Sequence, residues 1–464
     1  MDKKENLTVT TVYGKIRGIP DRGMRAFLGI PYAKPPVGEL RWRAPQRPEP
    51  WDGIYAANHY PNRSMQGMPA PDPEMMRQME EMLAEMPEGQ GGVDYQKEFY
   101  NDPVYETPFS EDSLYLNIWL PEEPADKPMP VAMWIHGGGF SGGTGHELEF
   151  RSAAYAAENV ILVTINYRLN IFGFLAHPAL TEEDPLAVGN YGLLDQIAAL
   201  NWLHENIAAF GGDPENITIF GQSAGCMSVQ NLVEAPAARG KFSRAVMQSG
   251  AGYPIVLQKE ITLEAAYAYA EAAMEAVGVK TIDELRQVPA EVLLDKPMRS
   301  AMGGDPADGL ILGPVDNHVF RPMFHDQMVE SGNVAPVPTM IGTTRHDITV
   351  TPAEAADENG RLRKSCISWA QQMEAHGKPA SYVYYFRREL PGDNAGAFHS
   401  AELWYMFGTL DSCWRPMAEK DYDLACRMVK YWTNFMKTGD PNGPDLPVWR
   451  PCTAADPFEM ILDA

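Results

Sequence analysis

The chain has 464 residues and 45% hydrophobic content, enough for a large core, and its 62 acidic against 38 basic residues leave a formal net charge of −24. That excess argues against nucleic acid and anionic membrane surfaces as partners. Five scattered cysteines (Cys226, Cys366, Cys413, Cys426 and Cys452) are odd in number and lack CxxC spacing, which argues against a disulfide framework or a zinc site. No run of about 18 apolar residues occurs, so no membrane insertion is expected. The stretch Met1 to Asn6 has no apolar core of a signal peptide, and a cytoplasmic protein is expected.

Residues 8–32 mix short strand-like runs with turns, and Pro31-Tyr32-Ala33-Lys34-Pro35-Pro36-Val37-Gly38 then breaks regular structure. An acidic, methionine-rich insert follows at residues 67–109. Met75, Met79, Met82 and Met86 fall there at helical spacing between Pro73 and Pro87. This predicts one amphipathic surface helix, with a soft stripe suited either to a lid over an apolar site or to plain packing on the core.

From Leu114 the pattern becomes α/β. Strand-like runs are Tyr115 to Leu120, Val131 to Ile135, Val160 to Ile165, Ile217 to Phe220, Arg244 to Gln248, Thr339 to Gly342 and Tyr382 to Phe386. Helical segments between them include Gly192 to Ala209, Leu263 to Val277 and Tyr422 to Lys437. Alternation of this kind predicts a largely parallel sheet covered on both faces. No repeat, low-complexity tract or linker divides the chain, so one α/β domain over residues 1–464 is expected.

Directly after the run Val131 to Ile135 stands His136-Gly137-Gly138-Gly139-Phe140. Consecutive glycines let backbone N–H groups converge on an anion that side chains would keep away. A phosphate loop is disfavoured, because no Gly-Lys-Ser/Thr or Gly-x-Gly-x-x-Gly follows. Further on, Gly221-Gln222-Ser223-Ala224-Gly225 joins a β-branched strand to a helix-compatible stretch, Cys226 to Val233. That setting reads as a nucleophile elbow presenting Ser223, with the N–H of Ala224 joining those of Gly138 and Gly139 as an oxyanion hole. Gly139-Phe140-Ser141-Gly142-Gly143 matches the same motif, but no helix follows it, so Ser141 is set aside.

A serine nucleophile needs a base and an orienting acid, expected in the chain order serine, acid, histidine. The run Thr339 to Gly342 leads into a loop that carries Asp347, the expected acid, whereas Asp316 in Gly313-Pro314-Val315-Asp316-Asn317 reads as a turn residue. His376 in Glu374-Ala375-His376-Gly377 reads as a helix C-terminus. His399 follows a strand and the loop Gly392 to Gly396, which can bring it back over the sheet, and it is the expected base.

These residues and several further segments resemble the type B carboxylesterases, the α/β-hydrolase family that includes cholinesterases and bacterial para-nitrobenzyl esterases. The resemblance spans nearly the whole chain. It rests on Phe27-Leu28-Gly29-Ile30-Pro31-Tyr32-Ala33 with Pro35-Pro36-Val37-Gly38, on Glu111 to Asn117, on Asn166-Tyr167-Arg168, on Phe210 to Pro214 and on Trp432-Thr433-Asn434-Phe435. It implies ion pairs Arg41–Glu111 and Arg168–Asp195, the acid at Asp347, the base at His399, and a family carboxylate at Glu402.

Three departures from the family pattern stand out. Asp347 replaces the family's usual glutamate, so its loop must sit closer to the base. Ser64 and Ser113 stand where the family has a cysteine pair, which leaves the early loop unstapled. The acid and base are 52 residues apart, short for the family, which implies a reduced lid and a wide entrance. The early loop also offers no tryptophan to hold a quaternary ammonium, so cholinesterase activity is not expected.

The expectation is therefore a cofactor-free, metal-free serine esterase acting on neutral, small-molecule esters with short acyl or aryl groups. Amidase or lactonase chemistry would use the same residues. Non-catalytic adhesion or binding members of the family typically lack the serine or the histidine, and both are present here.

Overall fold

The computed structural model describes residues 7–67, 93–123, 125–295, 312–348 and 350–464. Its centre is a ten-stranded mixed sheet. In chain order the strands are β1 (Ile19–Asp21), β2 (Met24–Pro31), β3 (Tyr115–Pro121), β4 (Met129–Ile135), β5 (Ile161–Ile165), β6 (Gly212–Gln222), β7 (Arg244–Gln248), β8 (Thr339–Thr344), β9 (Ser381–Phe386) and β10 (Glu459–Leu462). They lie side by side as β10-β9-β8-β7-β6-β4-β5-β3-β2-β1.

Strands β5 through β10, with β4 among them, pair in parallel, while β1, β2 and β3 form an antiparallel margin. The chain runs outward from β4 to β5 and returns on the other side at β6. This reversal opens a crevice beyond the carboxyl ends of β4 and β6, the general place for a site in a sheet of this type.

Both faces of the sheet are buried, as the near-continuous apolar runs predict. Along β4, Val131, Met133 and Ile135 pack into one core and Ala132 and Trp134 into the opposite one, which is the two-residue period of a strand. Helices α1 (Tyr191–Asn206), α2 (Ala224–Glu234) and α4 (Arg361–Ala375) cover the first face through Leu200, Leu232 and Trp369. Helix α5 (Glu419–Thr438) covers the second through Leu424, Met428, Trp432 and Phe435. Helix α3 (Leu263–Val277) belongs to a third core under Ala266, Ala270 and Met274. Its start is capped by the Thr262 hydroxyl, which accepts from Ala265 N–H at 3.2 Å, and its end by Gly278 at φ 78°.

All seven expected strands are present. Strand β6 reaches back to Gly212 through a register irregularity before Ile217. The expected helices run Tyr191–Asn206, Leu263–Val277 and Glu419–Thr438. The methionine stripe Met75, Met79, Met82 and Met86 lies outside the described residues. The described end of that insert carries a short helix, Tyr95–Phe99. No helix among the described residues is long and apolar enough to cross a membrane.

Two ion pairs brace the loops as the resemblance implies. Arg41 meets Glu111 at 2.5 Å, and its guanidinium also donates to the carbonyl oxygen of Val288 at 2.8 Å. Arg168 grips Asp195 with two parallel bonds of 2.8 and 2.7 Å. The early loop is not left loose. Ser64 and Ser113 meet hydroxyl to hydroxyl at 3.0 Å, and Ser64 also donates to Tyr167 O. A hydrogen bond thus holds the place that a disulfide would.

Candidate active site

Ser223 sits between β6 and α2 at φ 57°, ψ −126°, a conformation that costs a non-glycine residue strain and lifts its side chain clear of the sheet. The flanking glycines are sterically required. A Cβ on Gly225 would lie 2.0 Å from Ile135 O, and one on Gly221 would lie 2.6 Å from the Gly225 backbone. The turn is anchored by Ser223 N–H donating to Gln248 O at 2.9 Å.

The acid and the base come from loops after β8 and β9. His346 N–H donates to Ala397 O at 2.9 Å, so the two loops are bridged one residue before Asp347 and two before His399. His399 Nδ1 then meets Asp347 Oδ1 at 2.5 Å, which shows how the shorter aspartate reaches its partner. The other carboxylate oxygen accepts from Thr344 N–H at 3.1 Å and from the Thr343 hydroxyl. Burial alone would raise the Asp347 pKa. The facing imidazole and these hydrogen bonds prevail and hold it at about 2.

An ionised Asp347 fixes the imidazole with its proton on Nδ1, so Nε2 carries the lone pair. The Gln222 side-chain amide donates to that nitrogen at 3.1 Å. The Ser223 hydroxyl lines the same cavity as His399 but makes no hydrogen bond to it among the described residues. Such catalytic contacts tighten as substrate binds.

Opposite the elbow, the loop after β4 places Gly138 at φ 96° and Gly139 at φ 61°, so their backbone conformations favour glycine. Among the described residues, no hydrogen bond occupies the N–H of Gly138, Gly139 or Ala224. Gly138 and Gly139 line a cavity of about 510 Å³ together with Ser223 and His399. Ala224 opens helix α2, whose first-turn N–H groups and dipole favour negative charge.

The structure brings Ser223, Asp347, His399, Gly138, Gly139 and Ala224 to one place, and it keeps the rivals away. Ser141 turns its hydroxyl to Gly139 O at 3.3 Å. His376 ends helix α4. Asp316 does not sit in a turn. It pairs as a two-residue strand with Ile261–Thr262, buried 3.7 Å from Arg321. Residues that no sequence motif singled out also shape the site: Gln222, Tyr95, whose hydroxyl donates to His399 O at 3.1 Å, and the acids Glu147 and Glu149 on the cavity wall. Gln222 was open to notice as the neighbour of the serine.

A strand, elbow and helix on a mixed sheet of this order, with loops converging on the elbow, define an α/β-hydrolase. The model of the carboxylesterase family matches residues 5–366 and 361–463, and the chain belongs to that family. It is similar to para-nitrobenzyl esterase of Bacillus subtilis (strain 168), 32% identical over 491 residues, which cover 94% of this chain and 90% of that one. It is also similar to the medium-chain fatty acyl-CoA hydrolase precursor of Anas platyrhynchos, 30% identical over 96% of this chain and 87% of that one. A solved thermophilic PNB esterase superposes with a TM-score of 0.81 at 30% identity, covering 99% of this chain and 96% of that one. The protein is a carboxylic-ester hydrolase of the serine type.

Proposed function

We propose that Ser223 is the nucleophile, His399 the general base and Asp347 its orienting acid, and that Gly138, Gly139 and Ala224 form the oxyanion hole. The observation that carries this reading is the 2.5 Å contact between Asp347 and His399 on the cavity wall that also presents Ser223. Asp347 keeps the imidazole proton on Nδ1, so Nε2 is the basic atom facing the cavity. As the ester binds, Nε2 exchanges the Gln222 amide for the Ser223 proton, and the serine oxygen adds to the carbonyl. The tetrahedral oxyanion is met by the three unused N–H groups, each worth about 3 kcal/mol to the transition state. His399 passes its proton to the departing alkoxide. Water, activated by the same imidazole, then frees the acid and restores Ser223.

The substrates proposed are small neutral esters with short acyl chains and tolerated aryl leaving groups. Support comes from the cavity of about 510 Å³ with aromatic walls at Phe99, Trp134 and Phe150. The similarity to a para-nitrobenzyl esterase points the same way. The five cysteines, all free, fit a reducing, cytoplasmic setting. A series of p-nitrophenyl esters from acetate to palmitate tests the substrate range, with anionic aryl esters alongside. Activity is expected to peak at short chains and to fall with anionic esters; a maximum at palmitate overturns the assignment of substrate class.

A further inference from the structure

On the short helix Tyr95–Phe99, Tyr95 and Phe99 line the cavity that holds Ser223 and His399, while Glu98 between them is carried into the interior. Glu98 is 1% exposed. Its carboxylate accepts from the indole N–H groups of Trp404 at 2.9 Å and Trp414 at 2.7 Å, and from Arg415 Nε, 3.0 Å from both of its oxygens. The same guanidinium donates through its other two nitrogens to Asp393, at 2.6 and 3.0 Å, and to Pro391 O at 3.1 Å. It also lies 5.1 Å from the ring centre of Phe398, the residue before His399. One buried cation thus joins a wall of the cavity to the loop that carries the base, through the fixed fork that only arginine offers. Two contacts carry this junction to the site itself. The Tyr95 hydroxyl donates to His399 O at 3.1 Å, and the Phe99 ring stacks at 5.4 Å and 17° on Trp404, the indole that also holds Glu98.

We infer that Glu98 and Arg415 are positioning residues for the ester's leaving group: by clamping the helix Tyr95–Phe99 to the loop of His399, they hold Tyr95 and Phe99 as an aromatic wall at a fixed distance from the base. This rests on the esterase reading above and names the wall that admits its aryl leaving groups. His399 hands its proton to the departing alkoxide, so the leaving group lies beside His399 and against the wall tied to it.

A single helical turn has too few hydrogen bonds of its own to keep this place. The anchor behind it decides where Tyr95 and Phe99 stand, and a shift of the wall loosens the fit of a ring lodged on it. Met227 and Leu257 line the cavity from α2 and from the segment after β7. Among the described residues, no hydrogen bond or ion pair joins them to Glu98 or Arg415, so the surface left to the acyl group is independent of the clamp.

The test measures kcat and KM for ethyl acetate, benzyl acetate and ethyl hexanoate in the wild-type protein and in Glu98→Gln. The new amide keeps an acceptor for the indoles but turns an N–H₂ toward the Arg415 guanidinium, which has only donors to offer. The ratio of kcat/KM for benzyl acetate over ethyl acetate is expected to fall about tenfold, chiefly through KM, while that for ethyl hexanoate over ethyl acetate stays within about twofold. Tyr95→Phe should lower the benzyl ratio less, and combining it with Glu98→Gln should add less than the two separate effects, because both act through one wall. Asp393→Asn, on a partly exposed side chain, loosens the same guanidinium and should shift the benzyl ratio in the same direction. A lower melting temperature of Glu98→Gln with the benzyl ratio unchanged overturns the inference, and so does an equal fall of both ratios. If Glu98→Gln does not fold, Asp393→Asn and Tyr95→Phe decide it, and an unchanged benzyl ratio in both overturns it. If the wild-type protein hydrolyses none of these esters, the esterase reading fails instead. Calorimetric binding of benzyl alcohol then decides the wall: about tenfold weaker binding in Glu98→Gln supports it, and equal binding overturns it.

Discussion

Replacing Asp347 by Asn tests the acid's role and separates catalysis from stability. The substitution keeps the shape of the side chain but removes its charge and offers an N–H₂ where an oxygen accepted. The new side-chain amide then donates toward His399 Nδ1 and drives the imidazole proton onto Nε2, the atom that receives the Ser223 proton in the proposed assignment. The rate constant for hydrolysis should fall by roughly 10⁴-fold, the size of that tautomer error in a serine triad.

Stability changes less. The carboxyl moves from its ordinary 3.8 to about 2 in the folded protein. At about 1.4 kcal/mol per unit, that makes ionised Asp347 worth about 2 kcal/mol. Because the folded value is the lower one, this stabilisation is fully present above about pH 4 and is lost as pH falls through 2. Asp347→Asn should therefore lower stability by about 2 kcal/mol at neutral pH and by little at the acid end. Stopped-flow and steady-state hydrolysis of p-nitrophenyl acetate measure the first effect, and urea melts across pH measure the second. A folded Asp347→Asn with kcat within tenfold of the wild type refutes the assignment, and an Asp316→Asn with the larger loss reverses it.

An organophosphonate should label Ser223 and leave Ser141 untouched in a mass-mapped digest, and Ser223→Ala should lose labelling and several orders of magnitude in rate while melting normally. Glu402, pushed up to about 7 by burial and the Asp347 charge, makes the folded protein bind more protons than the unfolded chain, so stability should fall between about pH 4.5 and 7. Glu402→Gln should flatten that slope, as thermal melts at several pH values will show; an unchanged slope speaks against the buried carboxyl. The paired hydroxyls of Ser64 and Ser113 place the side chains in position for a cross-link. A Ser64→Cys, Ser113→Cys double variant should oxidise to a disulfide worth up to about 4 kcal/mol for a loop of this length. Thiol titration and oxidised against reduced melts check it, and failure to close would mean that the two Cβ atoms cannot meet disulfide geometry.

Local pattern determined much of this protein. The alternation of apolar runs with helical periods set a largely parallel, doubly covered sheet, because strand and helix periods are properties of short stretches. The elbow was legible in Gly221 to Gly225 for the same reason: a strained Ser223 needs glycine on both sides of it, within five residues. The β10 strand escaped notice because four residues at a sheet edge carry too little periodicity to stand out.

Tertiary structure decided the rest. That Asp347 reaches His399 depends on the bridge between His346 and Ala397, which joins two loops half a hundred residues apart. That Ser64 and Ser113 hold each other depends on the early loop closing over Tyr167. Glu147 and Glu149 read in sequence as two ordinary charges of an acidic chain. Only the tertiary structure buries them on the wall of the cavity that also holds Ser223, because burial is a property of three-dimensional surroundings rather than of residue type.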